Sequence, residues 1–294
     1  MIKKKLYLIV FLISILLSYF VGFSSAVYGL FPYHQIHNLY KKILYINIFN
    51  KLDSCDVEEI INLPKKFSLI VGHAYGSPFK SKQKNFIAKN LDNFLSNNQE
   101  HIENIIFTGD VFSVPTSLKW NKLLDKYSST NIYVAPGNHD VQRLDSKEIF
   151  NSTKLNSKFF PFEIIIEQKK LIIDDSVQSN WKISDKLLKL INSNNSDVLI
   201  ARHNVPIIDL LPLSNSKAGF TDLPNLKDFQ NNFELNNRIT WIIGDGGAYS
   251  NLPRISCFEY LNHKFIVNGI GDVKGDTVLI LHKNQIYKYI ISKN

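Results

Sequence analysis

Two observations predict an α/β fold for this chain. Five short apolar stretches have the character of buried strands, and each is followed at once by Gly, His, Asp or Asn; they are residues 67–71, 104–108, 131–136, 197–202 and 238–243. Segments with helical spacing separate the early strands, as connections between parallel strands require. Because open α/β sheets bind ligands at the carboxyl ends of their strands, the polar residues there predict a functional site.

The other elements follow in chain order. Helices are expected near residues 81–96 and 116–127, between the first three strands. Residues 141–161 are rich in Asp, Ser, Asn and Lys and are expected to form a loop or a capping insertion. A hairpin is expected around Gln168-Lys169, followed by a helix that Ser184 caps and that runs to Ile191. The late strands are expected at 264–268, 277–282 and 285–291.

The first 31 residues predict a membrane anchor. Lysines 3–5 precede an uncharged, mostly apolar stretch from Leu6 to Phe31, which is long enough to span a bilayer as a helix. The alternative is a signal peptide cleaved near Ala26, although its apolar core would be only about 7–15 residues long. The positive-inside rule places a basic tip, residues 1–5, in the cytoplasm and the rest of the chain outside it.

Composition limits the remaining possibilities. Residues 32–66 form either a linker or stalk or an ordered edge of a domain that spans 67–294. Five of the net +8 charges come from lysines in residues 1–45, which leaves only +3 for the rest. No basic run with interleaved aromatic residues occurs, so nucleic-acid binding is not expected. Cys55 and Cys257 define neither a zinc site nor a disulfide framework, and their pairing stays open, as does the oligomeric state.

The sharpest motif is Gly137-Asn138-His139-Asp140, with Gly109-Asp110 upstream. Gly72-His73, His203 and Gly244-Asp245-Gly246-Gly247 stand at the same point after the other three strands. Carboxylate, amide and imidazole groups gathered at strand ends provide the mixed oxygen and nitrogen ligands that divalent cations take. These motifs therefore predict a metal site.

The order of the motifs resembles that of the calcineurin-like metallophosphoesterases, over roughly residues 67–290. The family pattern is Asp-x-His, Gly-Asp, Gly-Asn-His-Asp or -Glu, a lone His, and Gly-His-x-His. The resemblance implies two packed mixed β-sheets flanked by helices, a four-layer α/β/β/α sandwich preceded here by the membrane helix. It also implies a two-metal centre between the sheets, with Mn, Zn, Fe or Mg as the ion.

The resemblance assigns a role to each matching residue. Asp110 matches the carboxylate that bridges both metals, and Asn138 and His203 match ligands of the second metal. His139 matches the histidine near the leaving group, with Asp140 orienting it. His203 adjoins Arg202, which is a candidate for substrate binding although it would alternate to the opposite face of a continuing strand.

Two departures from the family pattern affect the metals. The first aspartate would fall on Val71, which has no ligating atom. In the closing motif Asp245 can replace a histidine as an oxygen ligand, but Gly247 offers no side chain. The first metal keeps only His73 and the shared Asp110, and Tyr75 is placed to reach its site. The second metal keeps four ligands: Asp110, Asn138, His203 and Asp245.

Together these features predict a membrane-anchored, metal-dependent phosphoesterase with one metal or a weak second one. A metal-activated water would attack a phosphate ester of an envelope component. The alternative is a catalytically decayed protein of the same fold that binds partners in cell-surface glycan assembly. Val71 and Gly247 favour the binding protein, whereas the intact Gly137–Asp140 motif with Asp110 favours the enzyme.

Overall fold

The computed structural model of the chain describes residues 2–28, 33–76, 85–153, 155, 159–194, 197–214, 222–233, 238–246 and 252–292. The helices in these ranges are α1 (Ile2–Tyr28), α2 (Tyr33–Ile48), α3 (Lys89–Asn98), α4 (Ser117–Lys126), α5 (Asn138–Val141), α6 (Leu144–Asn151), α7 (Asp185–Asn192) and α8 (Leu226–Gln230). The strands are β1 (Asp53–Ser54), β2 (Phe67–Val71), β3 (Ile102–Phe107), β4 (Asn131–Val134), β5 (Phe162–Ile166), β6 (Lys169–Ile173), β7 (Val198–Arg202), β8 (Ile239–Ile243), β9 (Ile255–Tyr260), β10 (His263–Asn268), β11 (Thr277–His282) and β12 (Gln285–Ile290).

The described strands form two mixed sheets. The first has the order β12-β11-β2-β3-β4, and the second has the order β1-β9-β10-β8-β7-β6-β5. Strands β2, β3 and β4 are parallel in the first sheet, and β6, β7, β8 and β10 are parallel in the second. Helices α3, α4, α7 and α8 lie on the connections between these parallel strands, as parallel pairing requires.

Three buried apolar clusters separate the layers. Ile70 and Ile106 of the first sheet pack with Leu199 and other residues of the second, between the two sheets. On the outer face of the first sheet, strand side chains of the opposite parity pack against α3 and α4. On the outer face of the second sheet, Trp241 packs with side chains of α7 and α8. The fold is therefore the mixed α/β arrangement of two packed sheets flanked by helices.

The segment before Phe67 is part of this domain rather than a free linker. Ile48 and Leu52 are buried in the cluster on the outer face of the second sheet. Strand β1 pairs antiparallel with β9, at the edge of that sheet. Cys55 forms a disulfide with Cys257 of β9. Of the two arrangements that the sequence left open for this segment, the structure has the ordered edge.

Most local boundaries match the sequence pattern. Thr116 accepts a hydrogen bond from the Lys119 amide, and Ser184 accepts one from the Leu187 amide, so both residues cap the helices expected after them. The hairpin turn lies at Glu167-Gln168, both with positive φ. The helix expected from residue 81 begins at Lys89, and residues 81–84 lie outside the described residues.

Two expectations about local structure were incomplete. Residues 141–161, expected as a loop or capping insertion, contain α6, because Phe150 packs edge-on against Trp120 of α4 at 5.5 Å between ring centroids. Strand β9, which pairs along its whole length with β10, was not expected from the sequence.

The predicted anchor falls on α1. Its large apolar side chains from Phe11 to Phe23 are 50–69 % exposed. In the part of the chain that the structure describes, no helix has both the length and the apolar character needed to cross a membrane.

Replacing Cys55 by serine and Cys257 by alanine tests the role of the disulfide. The bridge joins residues 202 positions apart, so its removal frees a long loop in the unfolded chain. We expect the free energy of unfolding to fall by about 2–5 kcal/mol, measured by urea denaturation of oxidised samples. The wild-type protein in reductant should unfold like the variant. Equal stability of oxidised wild type and variant would contradict a constraining bridge.

Candidate metal centre

The polar residues that follow five strands meet at one place, at the carboxyl ends of strands from both sheets. His73 follows β2, Asp110 follows β3, and Asn138 begins α5 after β4. His203 and Asp245 follow β7 and β8 of the other sheet. His73, Asp110, His203 and Asp245 are almost completely buried, and Asn138 is half-buried. The residues that the sequence singled out for a metal site are therefore neighbours.

Asp110 is the hub of this cluster. Its Oδ1 lies 3.4 Å from His203 Nε2, and its Oδ2 lies 3.5 Å from His73 Nε2 and 3.9 Å from His139 Nε2. His203 Nε2 lies 3.2 Å from Asn138 Oδ1 and 3.9 Å from Asp245 Oδ1. One carboxylate thus faces His73 with one oxygen and His203 with the other.

Tight backbone turns allow these groups to approach. A Cβ on Gly109, whose φ is +90°, would lie 2.4 Å from His203 Nδ1. A Cβ on Gly137 would lie 2.3 Å from Asp110 Oδ1. His73 and Asp110 both have φ of 55°, a left-handed backbone conformation that is costly for residues other than glycine. The glycines that precede the functional residues are therefore required by space at the centre.

The three histidines are oriented in the same way. Each Nδ1 lies within hydrogen-bond distance of a backbone carbonyl: Gly76 O at 2.8 Å for His73, Ser113 O at 2.8 Å for His139, and Thr108 O at 2.9 Å for His203. A carbonyl only accepts, so each Nδ1 carries the proton and donates. In the neutral imidazole each Nε2 then presents its lone pair toward the Asp110 carboxylate, and in the protonated imidazole it presents an N–H. This is the orientation that outer hydrogen bonds give to histidines that bind metals.

The donor set fits a divalent cation. A neutral imidazole Nε2 and a carboxylate oxygen are both acceptors, so they approach favourably only when a proton or a metal ion lies between them. Asp110, Asn138, His203 and Asp245 offer three oxygen donors and one nitrogen donor, a combination that suits Mn, Zn, Fe or Mg. Among the described residues, no group of three His, Cys, Asp or Glu side chains is already spaced to hold a metal ion, and His203 instead contacts Asn138 directly.

The surrounding charges keep the Asp110 carboxylate ionised. Burial alone would raise the pKa of Asp110, but His203, His139 and His73 outweigh it and the pKa is lowered. Burial lowers the pKa of His73. Burial also acts to lower the pKa of His203, yet Asp110 and Asp245 outweigh it, so that pKa is raised. The centre therefore attracts positive charge, most strongly between Asp110 and His203.

The sequence matches the model of the calcineurin-like phosphoesterases over residues 73–247, more than half of the chain. The chain belongs to the calcineurin-like phosphoesterase family. This confirms the family that the motif order indicated, whose members use divalent metal to act on phosphate esters. The comparison with curated proteins gives no match.

One solved structure with a similar fold is a phosphatase. The purple acid phosphatase PPD1 from yellow lupin (Lupinus luteus) seeds has a TM-score of 0.52 at 11% identity, over 78% of this chain and 52% of the lupin chain. The chain thus spans about half the length of the lupin protein. A dimetal phosphatase from Danio rerio has a TM-score of 0.47 at 10% identity, over 78% of this chain and all (100%) of the fish chain.

Asp140 of this calcineurin-like phosphoesterase does not orient His139 as expected. Its carboxylate accepts backbone hydrogen bonds from Asp110 at 2.8 Å, Gly137 at 2.9 Å and Val111 at 3.1 Å. The Ser113 carbonyl orients His139 instead. Burial, together with the charge of Asp110, raises the pKa of Asp140 to about 7. Asp140 therefore ties the turn that carries Asp110 to α5, because its fully buried oxygens face amides rather than the imidazole.

Tyr75 lies on the His73 side of the centre. Its hydroxyl is 3.5 Å from both His73 Nε2 and His139 Nε2, and its ring packs against both imidazoles. Val71, where the family pattern has an aspartate, is buried in the apolar cluster beneath α3 and α4. The His73 side thus offers His73, Asp110 and a phenol oxygen. Gly247, the other departure from the family pattern, lies outside the described residues.

Arg202 is not placed to bind substrate. Its side chain is fully buried, its Nε donates to the Asn204 carbonyl at 2.9 Å, and its Nη2 donates to the Trp181 carbonyl. Its Nη1 lies 3.5 Å from Asp174 Oδ2. Since neighbouring residues of a strand point to opposite faces, Arg202 turns away from the centre that His203 enters. The expectation of a substrate contact at Arg202 was therefore wrong.

Two residues beside the centre, Lys41 and Ser214, were not expected from the sequence. Ser214 Oγ donates a hydrogen bond to Asp245 Oδ2. Lys41 of α2, which is buried, donates from Nζ to the Ser214 carbonyl at 2.6 Å. A hydrogen-bonded carboxylate is held in one orientation, which favours its use as a ligand. Neither residue belongs to a motif, and only the folded chain brings them to Asp245.

Replacing Arg202 by methionine tests its structural role. Burial raises the pKa of Asp174 to about 6 despite Arg202, so an unpaired Asp174 carboxylate would be costly above that pH. We expect the free energy of unfolding to fall by about 3–5 kcal/mol at pH 8, measured by urea denaturation. The loss should shrink at pH 5, because the folded state then takes up the proton on Asp174 and the charge disappears.

The matched control is the double variant Arg202→Met with Asp174→Asn, which removes both charges. It should recover part of the lost stability at pH 8 and show little of the pH dependence. A single variant that is as stable as wild type at both pH values would contradict the buried pair.

Proposed function

We propose that this chain is a metal-dependent phosphoric ester hydrolase that binds one divalent cation tightly, through Asp110, Asn138, His203 and Asp245. The observation that carries the proposal is the shared orientation of the three histidines, each with Nδ1–H on a backbone carbonyl and Nε2 toward Asp110. Structural histidines gain nothing from lone pairs that face a carboxylate, whereas metal ligands and proton carriers need this arrangement.

A divalent cation held by Asp110, Asn138, His203 and Asp245 would lower the pKa of a water molecule toward ~7 and would polarise a phosphoryl oxygen. His139 supplies the proton for the leaving group. Its side chain is 37% exposed, the most open of the three imidazoles, so its Nε2 can meet an arriving ester. Asp110 Oδ2 lies 3.9 Å from this Nε2, and the Ser113 carbonyl fixes the plane of the ring. Such general acid help contributes about 10²–10⁴-fold to a rate.

The His73 side of Asp110 is the weaker half of the centre. It has one imidazole and the shared carboxylate, and Val71 contributes only packing. The Tyr75 hydroxyl adds an oxygen at 3.5 Å from His73 Nε2. We therefore propose a mononuclear enzyme, or a dinuclear one in which the second ion is held weakly on this side.

The location that the sequence indicates, the outer side of a membrane with residues 6–31 as an uncleaved anchor and residues 1–5 in the cytoplasm, is part of this proposal. Cleavage near Ala26 and secretion is the alternative. The exposed apolar side chains of α1 support the anchor, because large exposed apolar surfaces mark contacts with lipid or protein. The disulfide supports the outer side, since disulfides persist in oxidising compartments. The substrate would then be a phosphate ester of an envelope component.

One observation favours a second function, a binding protein that has lost catalysis. Val71 is packed in the apolar core where the family pattern has a metal ligand. The variant Asp110→Asn separates the two functions. An enzyme should lose turnover with this change, whereas a binding protein should keep its partner.

The number of metal ions bound per chain tests the proposed cofactor. The full chain in detergent, loaded with Mn²⁺ or Zn²⁺ and freed of unbound ion, should hold about one ion per chain, because one four-ligand site is complete. His203→Ala should lose that ion, and His101→Ala, at an exposed histidine outside the centre, should keep it. Two tightly held ions would show that Tyr75 or another group completes the His73 side. A folded protein with no ion would overturn the proposal.

The variant His139→Ala tests whether His139 is the general acid that protonates the leaving group. We expect kcat for an aryl phosphate ester with a poor leaving group to fall by about 10²–10⁴-fold, with metal content unchanged. An ester with a good leaving group should be affected less, because it needs little protonation. His101→Ala is again the control. Unchanged turnover in His139→Ala on both esters would rule out the proton role.

A further inference from the structure

Helix α2 has two apolar faces, and the described part of the domain covers only one of them. Its inner face carries Lys41, Tyr45 and Ile48, which lie three and four residues apart and therefore on one side of the helix. Ile48 and Tyr45 pack into the cluster on the outer face of the second sheet. Lys41 reaches the Ser214 carbonyl at 2.6 Å. This inner face fixes the orientation of α2 on the domain.

The outer face is a continuous apolar stripe. The helical spacing i, i+3, i+4 and i+7 places its members on the side opposite to Lys41. Each is 52–61 % exposed: Ile36, Leu39, Tyr40, Ile43 and Ile46. No charged residue interrupts the stripe, and the exposed Lys42 lies at its border. A helix that is apolar on both sides is normally buried on both sides.

The surroundings of the stripe indicate what covers it. The preceding helix, α1, also exposes large apolar side chains, from Phe11 to Phe23, so the two helices form consecutive apolar surfaces. A tyrosine within the stripe and a lysine at its border are typical of helices that lie at a membrane surface. An in-plane contact of this kind needs no spanning helix, since its apolar side chains enter only the outer part of the bilayer.

We propose that α2 lies in the plane of a lipid bilayer and places the domain on the membrane surface. Its outer stripe enters the lipid, and its inner face carries Lys41, which is linked through Ser214 to Asp245. Two hydrogen bonds thus connect the membrane-bound helix to a residue of the candidate metal centre. The consequence for the substrate rests on the proposed hydrolase function: the preferred ester is one whose phosphate is attached to a lipid at the same surface.

Tryptophan fluorescence of the full chain in vesicles tests the contact. The native residues Trp120, Trp181 and Trp241 are buried in the domain and give a constant background. Ile43→Trp should add blue-shifted emission that brominated phosphatidylcholine and phosphatidylglycerol chains quench at least about twofold, because position 43 lies in the middle of the stripe. Lys42→Trp, one residue along, should be quenched less, because it lies at the border.

A second control lies at the far edge of the same sheet. Ile165 of β5 is exposed and is separated by the whole sheet from β1, so Ile165→Trp should show no quenching above the wild-type background. Equal and weak quenching at positions 42, 43 and 165 would overturn the proposal. Blue-shifted but unquenched emission from Ile43→Trp, with chemical cross-linking of two chains, would assign the stripe to a second copy and would also overturn it.

Activity assays distinguish this inference from the proposed function. The double variant Leu39→Ser with Ile43→Ser should hydrolyse a phosphomonoester lipid in vesicles at least about tenfold more slowly than wild type, and a soluble aryl phosphate at the same rate. A wild-type protein that hydrolyses neither compound but shows quenching at position 43 would refute the hydrolase and leave the membrane contact standing. Equal loss on both substrates would show that the variant damages the domain rather than its membrane contact.

Discussion

The buried carboxylate of Asp110 is the constraint on which the centre depends. An ionised group inside a protein is costly unless opposite charge or hydrogen-bond donors compensate it. Asp110 Oδ1 accepts one hydrogen bond, from the His139 amide at 3.0 Å, while the imidazole nitrogens around it have their protons on the other side of the ring. The folded chain therefore concentrates negative potential at a place where only added positive charge can relieve it. A cation is the natural complement.

The same constraint links the two sheets. Asp110 stands at the end of β3 in one sheet, and His203 stands at the end of β7 in the other. The hydrogen bond from His203 Nδ1 to the Thr108 carbonyl crosses between them at 2.9 Å. The centre is thus assembled only when the sheets pack, and the apolar cluster between them supplies the free energy that brings the polar groups together.

The sequence predicted the parts of the site that local patterns encode. Strands followed by Gly-Asp, Gly-Asn-His-Asp or a lone His fixed which residues meet, because parallel strands bring their carboxyl ends to one edge. Packing against distant elements was not encoded in this way. Contacts with Trp181 and Asp174 determine the position of Arg202. The three backbone amides that donate hydrogen bonds to the Asp140 carboxylate determine the role of Asp140. The ordered segment before Phe67 depends on pairing with β9, far along the chain, for which a local pattern gives no signal. Strand β9 itself forms a hairpin with the adjacent β10.

The disulfide between Cys55 and Cys257 has a mechanical consequence. Strand β1 is two residues long and pairs with β9 alone among the described strands, so hydrogen bonds by themselves would hold it weakly at the edge of the sheet. If the amino-terminal helices are held by a membrane, any pull between membrane and domain passes along the chain to this edge. The covalent bridge transmits that force directly into β9, which is hydrogen-bonded to β10 along its whole length. Because the bridge follows β1 in the chain, such a pull is stopped at Cys55 and does not reach the strands that follow β1.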